Sequence, residues 1–362
     1  MTIHVLIVDD SLTTREYLRH IITSDPDLAI IGEAKNGKEA LEMAESEKPD
    51  VIIMDIQMPG MNGYEATRAI MERCPAPIVI HSTLVAPGQT ENIFKAMKAG
   101  AVAVVQKPTG IGHPEAPVLI EKLLRAVRLM SEVKVVRLLK QKNKAHHSLT
   151  VPGKDSLSEP AAGQSRPLTS VIAIGASTGG PPVLQAILDN LENRFSIPVI
   201  IAQHIASGFL EGMVDWLSKT AHLVLKIART GEPVADGNVY FTPEDYYTTV
   251  TSARTFLLTP INDKESRKRP ISKLFSSIAD VYKNTAVGVL LTGMGNDGVS
   301  GLKKMKDQGA VTIVQDKESA IVFGMPGEAI RINAATYVLR PEDITSYLNK
   351  ISRDTHGKPA HK

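Results

Sequence analysis

A single cysteine, Cys74, is the only thiol in this 362-residue chain. An intramolecular disulfide is therefore impossible, which excludes a disulfide-framed secreted fold and points to a reducing cytoplasm. Long apolar runs are missing too. None approaches the ~20 residues that a membrane-spanning helix needs, so no membrane insertion is expected. The opening stretch, Met1-Thr-Ile-His-Val-Leu-Ile-Val-Asp-Asp10, lacks a basic lead and a small-residue cleavage site, and reads as a first strand rather than a signal peptide. Nor does one sign of charge dominate. Lys and Arg number 41 against 39 Asp and Glu, a net of +2, which gives no general case for nucleic-acid binding.

What is present describes a soluble chain with ample core: 43% hydrophobic and 22% charged residues, over a length sufficient for two domains. In the first part, residues 1–124, short apolar runs alternate with helical periods. Strands are predicted at Ile3–Val8, Leu28–Gly32, Val51–Met54, Ile78–Ile80 and Val102–Val105, with helical stretches such as Lys38–Ala44 and Tyr64–Met71 between them. Repeated βα units imply a five-stranded parallel sheet covered on both faces, a flavodoxin-like arrangement with ligands at the C-terminal strand ends. Asp9 and Asp10 close the first strand and Asp55 the third. Clustered carboxylates repel unless a cation joins them, and an oxygen-only set suits Mg²⁺. Lys107 ends the fifth strand and Ser82 the fourth; a metal, a Lys and a hydroxyl around one carboxylate would stabilise charge in phosphoryl transfer onto it. A solvated acidic loop explains any one pair, but not four strand ends that all carry suitable groups.

These residues resemble the receiver domain of two-component response regulators. The resemblance rests on Val8-Asp9-Asp10-Ser11, on Met54-Asp55-Ile56-Gln57-Met58-Pro59-Gly60-Met61-Asn62-Gly63 and on Gln106-Lys107-Pro108. It implies that Asp55 accepts phosphate from a histidine kinase, that Asp9, Asp10, Asp55 and the backbone carbonyl of Gln57 hold Mg²⁺, and that Ser82 and Lys107 act as switch residues. Receivers often carry an aromatic three residues before this Lys; here the position is Val104.

Residues 125–168 read as a connection. Ile120, Leu123, Leu124, Val127 and Met130 follow helical spacing and should pack on the first sheet, in a helix extending toward Leu139. Between Glu121 and Lys144 stand eight Lys or Arg and two Glu, a pattern more often a solvated face than a docking surface. From Gln141 to Leu168 the chain turns polar, with Pro152, Gly153, Pro160, Gly163 and Pro167, and reads as a mobile linker.

Residues 169–355 are expected to form a second, doubly wound, mainly parallel α/β domain. Its strands are predicted at Val171–Ile174, Pro198–Ala202, Gly288–Leu291 and Val311–Val314, with an antiparallel excursion between Gly237 and Thr259. Val171-Ile-Ala-Ile-Gly-Ala-Ser-Thr-Gly-Gly-Pro-Pro182 reads as a buried strand, a tight turn holding Ser177, and a helix opened by Pro181 and Pro182. Free backbone N–H groups and the positive helix end suit a nucleophile whose product is an oxyanion. Taken alone, a helix cap or a phosphate cradle explains the stretch better than catalysis does. His204 and Asp297 each follow another apolar strand, so parallel order would bring a hydroxyl, a base and an acid to one sheet edge.

Here the sequence resembles the chemotaxis protein-glutamate methylesterases, the CheB family. The shared residues are Gly175-Ala-Ser-Thr-Gly-Gly-Pro181, Gln203-His204 with Gly208-Phe209, Arg269-Pro270, Leu291-Thr-Gly-Met-Gly-Asn-Asp-Gly298 and Phe323-Gly-Met-Pro326. The resemblance implies catalytic roles for Ser177, His204 and Asp297, with an oxyanion site near Met294 and the Ser177–Thr178 turn. It implies hydrolysis of glutamyl methyl esters on methyl-accepting chemoreceptors, deamidation of receptor glutamines in many members, and no cofactor in the catalytic domain. Three stretches depart from the family pattern: Ile205-Ala-Ser207, Ile271-Ser-Lys273 and Glu244-Asp-Tyr-Tyr247. A phosphate-binding module and an interaction-only regulator with an inactive esterase domain remain the two rival classes.

Overall fold

The computed structural model describes residues 2–82, 89–108, 110, 113–133, 135, 168–205, 208–261 and 269–356. In the first part β1 (Ile3–Val8), α1 (Leu12–Thr23), β2 (Leu28–Ala34), α2 (Gly37–Glu47), β3 (Val51–Met54), α3 (Gly63–Arg73), β4 (Ile78–Ser82), α4 (Gln89–Lys98), β5 (Ala103–Gln106) and α5 (Ala116–Ser131) alternate as expected. The five strands are parallel, in the order β2-β1-β3-β4-β5. Alternate residues of each strand feed opposite cores. Leu6, Val8, Ile52, Met54, Ile78 and Ile80 meet α2, α3 and α4; Val5, Ile7, Val51, Ile53 and Val79 meet α1 and α5. Both faces being covered is what makes these strands read as continuous apolar runs. Helix α5 ends at Ser131 with Glu132 as its cap, short of Leu139. Residues 136–140, and 141–167 of the stretch read as a linker, lie outside the described residues.

The second part runs β6 (Val171–Ala176), α6 (Gly180–Leu188), β7 (Val199–Gln203), α7 (Leu210–Ser218), β8 (Val224–Ile227), β9 (Asn238–Phe241), β10 (Tyr246–Val250), β11 (Phe256–Pro260), α8 (Pro270–Tyr282), a 3-10 turn at Lys283–Thr285, β12 (Ala286–Leu290), α9 (Val299–Asp307), β13 (Val311–Gln315), α10 (Gly324–Arg331), β14 (Tyr337–Leu339) and α11 (Pro341–His356). Seven strands form one parallel sheet, in the order β14-β13-β12-β6-β7-β9-β8. The antiparallel excursion is smaller than expected. Among the described strands only β10 and β11 pair that way, with one isolated antiparallel bridge between Pro233 and Thr255, whereas β9 lies in the main sheet beside β7, with Val239, Tyr240 and Phe241 buried.

One core joins the sheet to α6, α7 and α11 through residues such as Leu184, Met213 and Leu348; the other joins it to α8, α9 and α10 through Leu274, Leu302 and Met325. The two parts of the molecule pack together. Phe94 of α4 stacks on Trp216 of α7, with ring centroids 4.9 Å apart and planes 15° from parallel. Phe209 enters the core beneath α3 and α4, while Met294, Ile321 and Val322 pack against the one beneath α5.

Candidate active site

The second sheet changes winding direction at β6. From there the chain fills β7, β9 and β8 on one side and β12, β13 and β14 on the other. The crevice outside the C-terminal ends of the strands at such a reversal is where ligands bind in open α/β sheets. Ser177 follows β6, His204 follows β7 and Asp297 follows β12, so the three come from adjacent strands. Backbone bonds lock these strand ends together: Ser177 N–H donates to Thr292 O at 3.0 Å, and His204 N–H to Ala176 O at 2.9 Å.

His204 Nε2 lies 2.8 Å from Asp297 Oδ2. The Asp297 carboxylate is buried and accepts three backbone N–H groups as well: Ile271 at 3.0 Å, Ser272 at 2.9 Å and Gly298 at 2.8 Å. Two of these open α8, so the positive helix end faces the acid. Burial pushes the Asp297 pKa up, but the His204 hydrogen bond and charge and the Ser272 and Ile271 N–H groups outweigh it, and the net shift is downward. The carboxylate is thus held ionised beside the imidazole.

Ser177 is half-buried and, among the described residues, makes no side-chain hydrogen bond to His204, yet both line the same cavity. The expected helix cap is not Ser177 but Gly179, which adopts φ 77°; Pro181 and Pro182 do occupy the first turn of α6. Gly293 is dictated by close approach, because a Cβ there would stand 2.7 Å from Ser177 Cβ and 2.6 Å from Met325 Sδ. Among the described residues the N–H groups of Thr178 and Met294 are unpaired, which leaves both donors open to a ligand oxygen.

Several residues to which the sequence reading gave no role of their own hold this arrangement. The Gln203 amide donates to the carbonyls of both Ser177 (2.9 Å) and His204 (2.7 Å), tying nucleophile turn to base turn. Ser272 Oγ accepts the Gly298 N–H at 2.7 Å, and Thr292 Oγ1 donates to Thr178 O at 2.9 Å. Gln203 and Thr292 stand inside the motifs that carry the resemblance, and Ser272 inside one of the departing stretches, but nothing in the sequence assigned them these contacts. Of the departures from the family pattern, Glu244 accepts the Gly208 N–H at 2.8 Å and so braces the segment after His204; Ala206 and Ser207 lie outside the described residues.

In the first sheet the reversal falls between β1 and β3, and the acidic residues gather there. Ligand atoms of Asp9, Asp10 and Asp55 all lie within 4.8 Å of one another; Asp9 and Asp55 are buried and Asp10 is exposed. Lys107 Nζ stands 2.8 Å from Asp9 and 3.1 Å from Asp55. Burial pushes the Asp55 pKa up, Lys107 pulls it down and Asp9 pushes it up again, for a net rise. Three carboxylates against one ammonium leave excess negative charge, and an all-oxygen donor set with a solvent-facing member fits Mg²⁺, which keeps several waters. Gln57 is exposed on the loop after Asp55, and Ser82 is buried at the end of β4, its carbonyl accepting Lys107 N–H at 2.8 Å. His81, next to Ser82, is fully buried; burial, with the Lys107 charge, depresses its pKa to about 3, so it stays neutral.

The CheB methylesterase family model matches residues 172–348, and the response regulator receiver domain model matches residues 5–114. A protein-glutamate methylesterase/protein-glutamine glutaminase of Nitrosospira multiformis is 44% identical over 349 residues, covering 96% of this chain and 97% of that protein. One of the same description from Syntrophus aciditrophicus is 43% identical, covering 97% and 98%. The crystal structure of the Thermotoga maritima CheB methylesterase catalytic domain, 36% identical, covers 51% of this chain and 98% of that one with a TM-score of 0.48.

Proposed function

This chain belongs to the CheB methylesterase family and carries a response regulator receiver domain ahead of the esterase, and from that premise we propose that Ser177, His204 and Asp297 are its nucleophile, base and orienting acid. The protein is a phosphorylation-regulated protein-glutamate methylesterase that hydrolyses glutamyl methyl esters on chemoreceptors. We take residues 1–124 as receiver, 125–168 as connection and 169–355 as catalytic domain.

The observation that carries the triad is the 2.8 Å bond from His204 to a buried, ionised Asp297. It holds the proton on Nε2 and leaves Nδ1 as the nitrogen that accepts the Ser177 proton. Ser177 Oγ then attacks the side-chain ester carbonyl. The unpaired N–H groups of Thr178 and Met294 receive the tetrahedral oxyanion. His204 returns the proton to the departing methanol, and water, deprotonated by His204, releases the glutamate. Asp297 stabilises the imidazolium in both halves. An amide carbonyl fits the same donors, so the glutaminase activity in the relatives' name extends to this chain, with ammonia as leaving group.

In the receiver, Asp55 accepts the phosphoryl group from a chemotaxis histidine kinase. Asp9, Asp10, Asp55 and the Gln57 carbonyl would hold Mg²⁺, which when bound offsets the charge between carboxylate and phosphate. Lys107 pairs with the same anions, and Ser82 stands at the neighbouring strand end as switch hydroxyl. The reaction is placed in the cytoplasm, at the receptor signalling helices.

Methanol release from methylated receptor membranes tests the triad. Ser177→Ala and His204→Ala should each lose roughly 10⁴-fold or more, and the double variant little beyond either, because triad members act as a unit. A fluorophosphonate should label wild type and not Ser177→Ala. Two single losses that multiply in the double variant would mean separate roles and sink the assignment.

A further inference from the structure

Both N–H groups assigned to the oxyanion belong to peptides that are clamped at their other end. A trans peptide is planar, with its carbonyl and N–H pointing opposite ways, so a donor that binds the carbonyl sets where the N–H points. The Thr178 N–H shares its peptide with the Ser177 carbonyl. That oxygen accepts the Gly180 N–H at 2.8 Å and the Gln203 Nε2–H at 2.9 Å. The Met294 N–H shares its peptide with the Gly293 carbonyl, which accepts the N–H groups of Gly324 at 3.1 Å and Met325 at 2.8 Å. The two peptides flank the nucleophile, since a Cβ on Gly293 would stand 2.7 Å from Ser177 Cβ.

Of these four donors, three are backbone groups and one is a side chain. Gln203 is the last residue of β7, 5% exposed, and its amide nitrogen donates to two carbonyls, Ser177 O and, at 2.7 Å, His204 O. Turning the amide over would set Oε1 against both carbonyl oxygens, so its orientation is fixed. Among the described residues Oε1 has no partner. A buried acceptor without a donor is costly, and in a native structure it calls for a reason. Gly180 makes room for it, because a Cβ there would stand 2.1 Å from Oε1.

We infer that Gln203 is a positioning residue for the oxyanion, aiming and polarising the Thr178 N–H through the Ser177 carbonyl. The inference rests on the triad reading above. A hydrogen bond accepted by a carbonyl strengthens the donor at the other end of the same peptide. Negative charge gathers on the ester oxygen only on the way to the tetrahedral intermediate, so a better-aimed donor lowers the barrier and leaves substrate binding alone. Losing a whole oxyanion donor costs about 10²–10³-fold in kcat. Gln203 acts one peptide away, and the Gly180 N–H stays on the same carbonyl, so its loss should cost less, about tenfold.

The test uses full-length protein with Mg²⁺ and a small phosphodonor, and two probes: methylated receptor membranes, and benzyl trifluoromethyl ketone labelled with carbon-13 at its carbonyl. The ketone adds to Ser177 as a hemiketal whose oxyanion takes the place of the ester's. Gln203→Met keeps the length of the side chain and removes its donors. Methanol release should fall about tenfold in kcat at unchanged KM. The acid limb of the pH profile, set by His204, should stay where it is. The pKa of the hemiketal, followed by its carbon-13 resonance, should rise by about one, the equivalent of tenfold. A displaced serine would form less hemiketal without moving that pKa.

Gly180→Ala pushes on Oε1 and suits the first turn of α6, so it should give the same three results even if Gln203→Met does not fold. The double variant should be no slower than either single one, because both act through one hydrogen bond. An unmoved hemiketal pKa, a loss confined to KM, or two losses that multiply overturn the inference. So does a shifted acid limb, which would mean that Gln203 acts through His204 instead. A hemiketal that still forms in Ser177→Ala overturns the triad reading itself.

Discussion

Asp297 illustrates how one side chain links stability to chemistry. Its four acceptor contacts join the first turn of α8, the loop after β12 and the base. Because its folded pKa is lowered from 3.8, the carboxylate contributes stability above the ordinary carboxylate range and loses it as pH falls through the lower folded value. Asp297→Asn should therefore unfold at lower temperature at neutral pH, by on the order of 1–3 kcal/mol for charged hydrogen bonds replaced by neutral ones, and this difference should shrink as pH falls below about 4. Thermal unfolding of both proteins across pH measures it; a gap independent of pH would mean that the carboxylate charge contributes nothing. Asp55 has the opposite sign. Its folded pKa is raised by burial and by Asp9 against the pull of Lys107, so its ionised form costs stability at neutral pH. Asp55→Asn should raise the unfolding temperature of the metal-free protein, and added Mg²⁺ should raise that of wild type more than that of the variant. A destabilised Asp55→Asn protein would show that the pull of Lys107 outweighs burial at this site.

At the scale of elements, the strands bearing functional residues were legible because they are buried on both faces. Ile3–Val8, Val51–Met54 and Val171–Ala176 are runs of apolar, often β-branched residues, and each ends in a change of composition where a functional group stands. Strands β8 and β14 were not foreseen. They form the edges of their sheet, Val224 and Val338 are exposed, and their apolar runs, Leu223-Val224-Leu225 and Tyr337-Val338-Leu339, are short. Strand β9 shares the aromatic and β-branched texture of the hairpin that follows, so only the pairing with β7 separates it. The same limit applied at the site. Ser177, His204 and Asp297 were visible singly as strand-end residues, but Ser272 and Gln203 acquire meaning only once β12, β6 and β7 are known to be neighbours. Gly293 marks where these elements meet most closely. Gly293→Ala would force its strand end away from β6 and displace Ser177, since the added Cβ lies only 2.7 Å from the serine Cβ. Misplacement of about 1 Å costs roughly 10²-fold, so methanol release should fall by about that factor with little loss of fold. An unimpaired Gly293→Ala enzyme would mean that the nucleophile turn tolerates displacement.

In the whole molecule, regulation depends on how strongly two parts of one chain hold each other. Docking is intramolecular, so even a weak contact is populated. The α4–α7 contact is its most specific feature: Phe94 is fully buried and Trp216 nearly so, and their rings stack at 4.9 Å. Helix α4 lies in chain order between β4, which ends at Ser82, and β5, which leads to Lys107, so both switch positions flank it in sequence. Truncating a buried aromatic anchor at an interface typically costs about 2 kcal/mol, which is roughly a 30-fold shift between docked and undocked forms. Phe94→Ala should therefore raise unphosphorylated methanol release toward the phosphorylated wild-type rate, leave the phosphorylated rate unchanged, and shrink the response to phosphodonor. Protein lacking residues 1–168 should define the upper limit of that rise. Trp216 is the only tryptophan in the chain, so its emission reports undocking in the same sample. If emission moves to longer wavelength in Phe94→Ala while methanol release from receptors stays at the basal level, the α4–α7 contact is a point of attachment only, and the packing of Met294, Ile321 and Val322 against the receiver becomes the next contact to truncate.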